Sequence, residues 1–239
     1  MLPDGVIMQN VVVSGLGPGM GCAISRALAK AGYGVYAISR SKAGEKIAAD
    51  IGARHYSGDL RDPRSVHEVF SSIVHDAGSI HHVVHTAGGF FRKSGLGDVD
   101  ADLFASALMN NAQTFYNVAR ESLGYLSQFH GSLTAVTAAR HVYMNSHAGY
   151  VAGKGAVTFM VHQLAGELAS RGIRVNAVAP GFISKENCGG SDVKNLLGTG
   201  RHSAGPIASA VIWIMGSEEI TGQIIEVDSG FGTQIPDGL

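Results

Sequence analysis

Short apolar runs alternate along the chain with longer segments in which apolar residues recur at helical spacing. Residues 10–13 form an apolar run typical of a buried parallel strand, and residues 22–31 follow with alanines at every fourth position. Residues 34–38, 80–86 and 131–136 repeat the strand pattern. Strands that alternate with helices in this way predict an α/β fold with a mainly parallel sheet.

A glycine-rich turn separates the first predicted strand from the first predicted helix. Glycines there permit positive φ angles and a close approach of a ligand to the backbone, and the helix N-terminus attracts a pyrophosphate. The turn therefore predicts a dinucleotide-binding loop formed by Ser14, Gly15, Gly19, Met20 and Gly21.

Tyr150 and Lys154 stand four residues apart in a segment whose helical spacing continues to Leu168. On a helix this spacing places both side chains on one face. An ammonium group beside a phenol favours the phenolate, so we expect Lys154 to lower the pKa of Tyr150 and make it a general acid or base. A surface tyrosine and a solvated lysine are the alternative that this motif alone leaves open.

The two motifs together resemble those of the short-chain dehydrogenase/reductase family, including its 3-oxoacyl-carrier-protein reductases. That family carries [Ser/Thr]-Gly-x-x-x-Gly-x-Gly in its first turn and Tyr-x-x-x-Lys farther along, as this chain does from Ser14 and from Tyr150. The resemblance implies one Rossmann-type dinucleotide-binding domain over residues 1–239, a doubly wound sheet of about seven mainly parallel strands with helices on both faces. It also implies a substrate lid at about residues 184–203.

The end of the second predicted strand indicates which dinucleotide binds. An acidic residue there would accept hydrogen bonds from the adenosine ribose diol, but the chain has Ser39 followed by Arg40. Arginine can hold a 2′-phosphate with paired N–H donors, and Lys42 can add charge. These residues predict NADP(H) as the cofactor, and a solvated basic helix start is the alternative for Lys42.

Further cofactor contacts follow from the resemblance. The family has an acidic and an apolar residue near the adenine, an Ala-Gly pair beside the cofactor, and a Pro-Gly segment near the nicotinamide. The Asn pair that usually precedes Ala-Gly is replaced by His85-Thr86, which can keep part of its hydrogen bonding. The positions that match the family's contacts here are Asp59, Leu60, Ala87, Gly88, Pro180, Gly181 and Ile183.

The resemblance implies two more catalytic positions, and each has more than one candidate. The hydroxyl that orients the substrate carbonyl falls on Thr137 when counted from the catalytic tyrosine, and on Ala138 when counted from the strand start. We select Thr137, with Ser146 as a substitute from the loop. The asparagine whose carbonyl holds a water against the catalytic lysine lies in a helix predicted to end near residue 128. Asn110 and the adjacent Asn111 both fit, and we select Asn110.

Composition excludes several classes of function. The chain has 239 residues and a net charge of −1, so no basic face indicates binding to nucleic acid or to an anionic membrane. No apolar run of about 20 residues predicts a membrane span, and no signal peptide is visible. We therefore expect a cytoplasmic protein and, from the resemblance, a homotetramer or a homodimer.

Three histidines near the fourth predicted strand raise the question of a metal site. His81 and His85 would point to one side of a strand and His82 to the other, and no cysteine or carboxylate cluster is near. We therefore expect no metal. Cys188, in the lid segment, is interpreted as a surface cysteine.

The combined prediction is an NADP-dependent oxidoreductase that transfers a hydride between NADP(H) and a small-molecule carbonyl/alcohol pair. Tyr150 exchanges the proton, Lys154 lowers its pKa, Thr137 binds the substrate oxygen, and Asn110 supports a proton-relay water. Two alternatives stay open: a catalytically silent NADP-binding regulatory or scaffold protein, and a lyase or epimerase on the same fold. The lid segment carries no pattern that identifies the substrate.

Overall fold

The computed structural model describes residues 8–89, 95–183 and 202–233 of the chain. The strands in these residues are β1 (Asn10–Ser14), β2 (Gly34–Ser39), β3 (Arg54–Ser57), β4 (His82–His85), β5 (Ser132–Val136), β6 (Arg174–Pro180) and β7 (Ile224–Val227). They form one 7-stranded sheet in the order β3-β2-β1-β4-β5-β6-β7, and every neighbouring pair is parallel. The predicted parallel sheet is therefore confirmed.

Helices cover both faces of this sheet, as a doubly wound fold requires. Those in the described residues are α1 (Met20–Lys30), α2 (Lys42–Ile51), α3 (Pro63–Ala77), α4 (Ala101–Leu108), α5 (Thr114–Leu126), α6 (Arg140–Met144), α7 (Ala148–Leu168) and α8 (Gly205–Gly216). Helices α3, α5 and α7 pack on one face, and α1 and α8 pack on the other. Because both faces are buried, the central strands consist of continuous apolar runs.

Strand β1 shows how the two halves of the core are built. All of its residues are buried. Val12 packs with Phe70 on one face, whereas Val11 and Val13 pack with Ile24 on the other, as the two-residue period of a strand requires. Each valine removed from water in this way contributes roughly 1.5–3 kcal/mol to folding. The first glycine turn therefore starts from a rigid strand.

Strand β1 also lies where the strand order reverses. It pairs with β2 on one side and with β4 on the other. The chain that leaves β1 leads to β2 on one side of the sheet, and the chain that leaves β4 leads to β5 on the other side. A crevice therefore opens at the carboxyl ends of β1 and β4. Ser14, His85, Val136 and Pro180 are the last residues of their strands and lie along this edge. The edge is therefore where a ligand and catalytic groups can meet.

The structure differs from the sequence-based expectations at two helices, and one further expectation falls outside the described residues. The helix predicted to end near residue 128 is interrupted, because a π-helical turn, Met109–Gln113, separates α4 from α5. Helix periodicity does not detect one extra residue in a turn, and such turns are frequent at functional sites. Helix α6 was not predicted. Residues 184–201 of the predicted lid, with Cys188, lie outside the described residues, so the lid stays a prediction.

Candidate active site

Lys154 is buried on α7, with 5% of its surface exposed. Its Nζ donates a hydrogen bond of 2.7 Å to the backbone carbonyl of Val136, where β5 ends. Burial lowers the pKa of Lys154 to about 8, because an amine removed from water binds its proton less tightly. An amine with this pKa can gain and lose a proton at the pH at which enzymes work.

Tyr150 lies one helical turn before Lys154 and is equally buried. Burial raises the pKa of its phenol above the ordinary value, and the nearby Tyr143 raises it further. The expectation that Lys154 lowers this pKa is wrong for this structure, because desolvation dominates and the amine is directed to Val136. Tyr150 therefore holds its proton more tightly than an exposed tyrosine does.

A histidine that the sequence reasoning missed fixes the start of the helix that carries both side chains. His147 is the N-cap of α7, and its Nδ1 accepts hydrogen bonds from the backbone N–H groups of Gly149 (3.0 Å) and Tyr150 (3.3 Å). These N–H groups have no partner inside the helix. Histidine is not among the common capping residues, so no sequence signal identified it.

The asparagine beside Lys154 is Asn111. An added Cβ at Gly88 would lie 2.5 Å from Asn111 Oδ1 and 3.1 Å from Lys154 Nζ, so the glycine, the amide and the amine meet. Asn111 is fully buried, and its Nδ2 donates to the carbonyl of Ala107 at 2.9 Å. Asn110, which we selected from the sequence, instead donates to Ser106 Oγ on the outer side of the turn at 3.2 Å. The structure brings Asn111 to the site and leaves Asn110 outside it.

Thr137 and Ala138, the two candidates for the substrate-orienting position, are both buried at the end of β5. Ala138 packs against Tyr150 in a small apolar cluster, whereas the Thr137 hydroxyl has no hydrogen-bond partner in the described residues. Ser146, the substitute from the loop, donates to the carbonyl of Val142 at 2.7 Å. Tyr150 is therefore in contact with the methyl group of Ala138, and the unpaired hydroxyl belongs to the preceding residue, Thr137.

The glycine turn between β1 and α1 has room for a dinucleotide. Gly15 has φ +114°, and an added Cβ there would lie 2.7 Å from the Cα of Ala87, so the turn packs directly on the Ala-Gly pair. At Gly17 and Gly19 an added Cβ would meet nothing within 4 Å, so open space lies beside the turn. Helix α1 begins directly after Gly19, so the positive end of its dipole lies next to this turn. These features fit a pyrophosphate, whose oxygens the turn and the helix N-terminus would hold.

Basic side chains gather beyond the ends of β2 and β3. Arg40 is exposed, and Ser39 Oγ is 2.8 Å from His55 Nε2. Asp59 forms an ion pair of 2.6 Å with Arg61, a residue that the sequence reasoning did not select. Arg61 and, more weakly, the charge of Arg40 lower the pKa of Asp59 to about 2. The carboxylate is thus held ionised beside Arg61, and the exposed guanidinium group of Arg40 can attract a phosphate.

The other end of the predicted cofactor site lies beyond β6. Pro180 ends this strand, and the N–H of Gly181 donates to the carbonyl of Val227 at 3.1 Å. Ile183 forms a bridge with His202. Leu60, predicted near the adenine, is buried. Its carbonyl accepts a hydrogen bond of 2.9 Å from Asn117 Nδ2. The predicted contact positions therefore lie where the strands end.

Among the described residues, no group of three or more His, Cys, Asp or Glu side chains is placed to hold a metal ion. The histidines near β4 bind protein groups: His81 accepts from the N–H of Asn10, His82 contacts Ser132, and His85 contacts Ser14. In the same ranges, no helix combines the length and apolar character that a membrane crossing needs.

Comparison with known proteins gives consistent matches over nearly the whole chain. A family profile described as "Enoyl-(Acyl carrier protein) reductase" matches residues 15–232. The 3-oxoacyl-[acyl-carrier-protein] reductase of Bos taurus is 30% identical over 221 residues, which cover 89% of this chain and 93% of that protein. The structure of the citronellol catabolism dehydrogenase AtuB of Pseudomonas aeruginosa has a TM-score of 0.83 at 26% identity and covers 95% of both chains. ElxO with NADP bound has a TM-score of 0.84 at 22% identity, over 95% of this chain and 100% of that chain.

The buried amine predicts how stability depends on pH. The pKa of Lys154 is about 8 in the folded protein and 10.5 for an unperturbed lysine, so between these values the unfolded chain binds more protons. The free energy of unfolding should therefore rise as the pH increases from about 8 to 10.5, by about 3 kcal/mol at most. Below pH 8 both states bind the proton, so Lys154 causes no such rise there. Urea unfolding should show that Lys154→Met removes the rise, whereas Lys46→Met, at an exposed position on α2, keeps it. Equal slopes for the two variants would contradict the assignment.

Proposed function

Because the chain belongs to the short-chain dehydrogenase/reductase family, we propose that it is an enzyme that transfers a hydride between NADP(H) and a carbonyl/alcohol pair. The main support is the position of Tyr150, Lys154 and Asn111, which lie together at the edge where the glycine turn can hold a dinucleotide. The 3-oxoacyl-[acyl-carrier-protein] reductase among its relatives makes a 3-oxoacyl thioester the first substrate to test.

The side chains of the site divide the proton chemistry among them. A bound nicotinamide supplies the hydride chemistry. The phenol of Tyr150, which is protonated at neutral pH, donates its proton to the substrate oxygen as charge develops there. Lys154, with a pKa of about 8, can lose and regain a proton near neutral pH and takes part in replacing the proton that Tyr150 donates. Asn111, in place of Asn110, supports the route by which that proton arrives.

The substrate oxygen needs a second hydrogen-bond donor, and we assign this role to Thr137. Its buried hydroxyl has no partner in the described residues, and a buried hydroxyl without a partner costs about 1–3 kcal/mol. A carbonyl oxygen that accepted this hydrogen bond would remove that cost. The hydroxyl would have to reach past Ala138, whose methyl group packs against Tyr150.

The contact between Ala138 and Tyr150 favours a second candidate function. Ala138 occupies the place beside Tyr150 where the resemblance leads one to expect a hydroxyl. A protein that bound NADP(H) tightly but turned over no carbonyl compound would act as a cofactor-dependent regulatory or scaffold protein. The buried amine and Asn111 favour the enzyme, because burying them costs stability and serves no purpose in binding the adenosine half.

The cofactor is proposed to be NADP(H) rather than NAD(H). Arg40 is exposed beyond the end of β2, where it can form paired hydrogen bonds with a 2′-phosphate. Arg61 lies within the same charged group, where it forms an ion pair with Asp59.

A homodimer or homotetramer is proposed from the surface of the helices behind the site. Large apolar side chains on α4, α5 and α7 and on the π-helical turn are exposed, and Phe159 on α7 is 75% exposed. Exposed apolar side chains on neighbouring elements indicate a protein interface. The others are Phe104, Met109, Tyr116 and Val151.

Replacing the catalytic phenol tests the proposed chemistry. Tyr150→Phe should lower kcat by about 10²–10⁴-fold, because the proton donor is lost, while the Kd for NADPH changes little. Tyr125→Phe is the matched control, since Tyr125 on α5 stacks on Phe70 of α3, away from the site. NADPH absorbance with 3-oxoacyl thioesters gives kcat, and NADPH fluorescence gives Kd. Wild-type turnover by Tyr150→Phe would remove Tyr150 from the mechanism, and NADPH binding without turnover by the wild type would favour the regulatory function.

The choice between the two dinucleotides is tested at Arg40. Arg40→Ala should raise the Kd for NADPH by about 10–100-fold, the value of hydrogen bonds to a charged group, and leave that for NADH nearly unchanged. Arg64→Ala, at another exposed arginine, should change neither. The 2′-phosphate assignment fails if Arg40→Ala weakens both dinucleotides equally.

The proposed interface is tested by sedimentation velocity. The wild-type chain should sediment as a dimer or tetramer, and Phe159→Glu should shift it toward a smaller species, because a carboxylate would be buried without a partner. A wild-type chain that sediments as a monomer over the micromolar range would exclude the interface.

A further inference from the structure

His85 ends β4 and is completely buried, and the proposed reaction does not use it directly. Both of its ring nitrogens contact a hydroxyl group. Nδ1 is 2.9 Å from Ser14 Oγ, at the start of the glycine turn, and Nε2 is 3.4 Å from Thr114 Oγ1, at the start of α5. The imidazole ring therefore connects the predicted phosphate-binding turn to the helix region that carries Asn111.

The hydroxyl groups determine which ring nitrogen carries the proton. Thr114 has one hydroxyl proton, and Oγ1 directs it to the carbonyls of Asn110 (3.0 Å) and Asn111 (3.1 Å). Toward His85 the threonine oxygen can only accept, so Nε2 must carry hydrogen. In a neutral ring Nδ1 then has a lone pair and accepts the hydrogen bond from Ser14. The chain of hydrogen bonds runs in one direction, from Ser14 through His85 and Thr114 to the π-helical turn.

The surroundings keep the ring neutral. Burial and, to a smaller extent, the charge of Lys154 lower the pKa of His85 to about 3. Phe115 contacts the ring edge-on, with 5.5 Å between centroids. A charged imidazolium would lose the hydrogen bond from Ser14, because Nδ1 would then be a donor.

The far end of the chain reaches the catalytic groups. The carbonyls of Asn110 and Asn111 that accept from Thr114 belong to the π-helical turn, Met109–Gln113. The side chain of Asn111 belongs to the same π-helical turn, and its Oδ1 lies beside Gly88 and Lys154 Nζ. A shift of the turn would therefore move the amide that lies next to the amine.

We propose that His85, as a neutral imidazole protonated on Nε2, is a positioning residue that couples the glycine turn at Ser14 to the placement of Asn111 and Lys154. Its loss should disturb turnover more than it disturbs folding. The kinetic part of this inference rests on the proposed function, whereas the tautomer and the link to cofactor binding do not.

Substitution separates positioning from stability. His85→Leu removes both hydrogen bonds and should lower kcat at least tenfold and raise the Kd for NADPH several-fold. His85→Gln retains one donor and one acceptor and should recover most of kcat. His82→Leu is the matched control, because His82 is buried in the same strand but contacts Ser132 and Gln9 away from the site. It should lower stability and leave kcat and the Kd for NADPH near wild type.

Thr114→Val gives a second measurement if His85→Leu does not fold. It removes the hydroxyl link while conserving shape, and it should lower kcat as His85→Leu does; the double variant should lose no more than either single one. Kinetic effects of His82→Leu equal to those of His85→Leu, or wild-type kcat in Thr114→Val, would overturn the coupling.

The tautomer is measured independently of activity by ¹⁵N NMR of histidine-labelled protein, with His85→Gln used to assign the signal. The expected signal is a neutral ring with hydrogen on Nε2 and no titration between about pH 5 and 9. A ring protonated on Nδ1, or one that titrates in this range, would overturn the proposal. If the tautomer and the NADPH effect are found but no carbonyl compound is reduced by the wild type, the proposed function fails and the coupling between the turn and the site stands.

Discussion

The amine of Lys154 is held away from water where β5 ends, and its hydrogen bond to the carbonyl of Val136 partly replaces hydration. Full burial of an unpaired ammonium group costs several kcal/mol, so the group gives up part of its proton affinity instead. Around it the chain supplies a glycine at 88, an amide at 111 and a phenol at 150. The arrangement costs stability, and the proposed reaction, which needs a proton donor and an amine in a dry site, would account for that cost.

The secondary structure around this amine provides close approach and rigidity. Gly153 lets α7 lie against the π-helical turn, since an added Cβ would be 2.9 Å from the carbonyl of Ala107 and 3.0 Å from Asn111 Cβ. His147 fixes the first turn of α7, and the buried β1 fixes the start of the glycine turn. Groups on α7, on the π-helical turn and at the end of β1 thus meet at one edge of the sheet. This is the condition for catalytic groups to keep their geometry.

The sequence predicts the fold, which the structure confirms, and the pair of residues on α7, whose catalytic role stays a prediction, because both rest on regular spacing. Parallel strands buried on both faces form apolar runs, and a separation of four residues on a helix determines which side chains are neighbours. Where a shift of one residue along the chain changes which side chain faces the site, the sequence does not decide between the two neighbouring residues. Asn110 was selected over Asn111 because the π-helical turn was not visible, and the end of β5 leaves Thr137 and Ala138 adjacent. Those residue roles stay predictions, although the structure favours Asn111 by placement.

Properties that arise from distant parts of the chain were missed or predicted with the wrong sign. The sequence indicated a cation near Tyr150, but it did not show that burial would raise the phenol pKa. The contact of Arg61 with Asp59 and the cap by His147 depend on side-chain direction in turns, which spacing does not reveal. The link from Ser14 to Thr114 through His85 joins three separate elements, and a strand pattern alone gives no indication of it.

Hydride transfer at this edge is the central claim, and isotope tracing tests it most directly. The wild-type protein would be incubated with NADPH carrying deuterium at one face of C4 of the nicotinamide and with a 3-oxoacyl thioester. The account predicts one deuterium on the new carbinol carbon for one labelled face and none for the other. An alcohol product without deuterium from either labelled face, or consumption of the substrate without oxidation of NADPH, would contradict it.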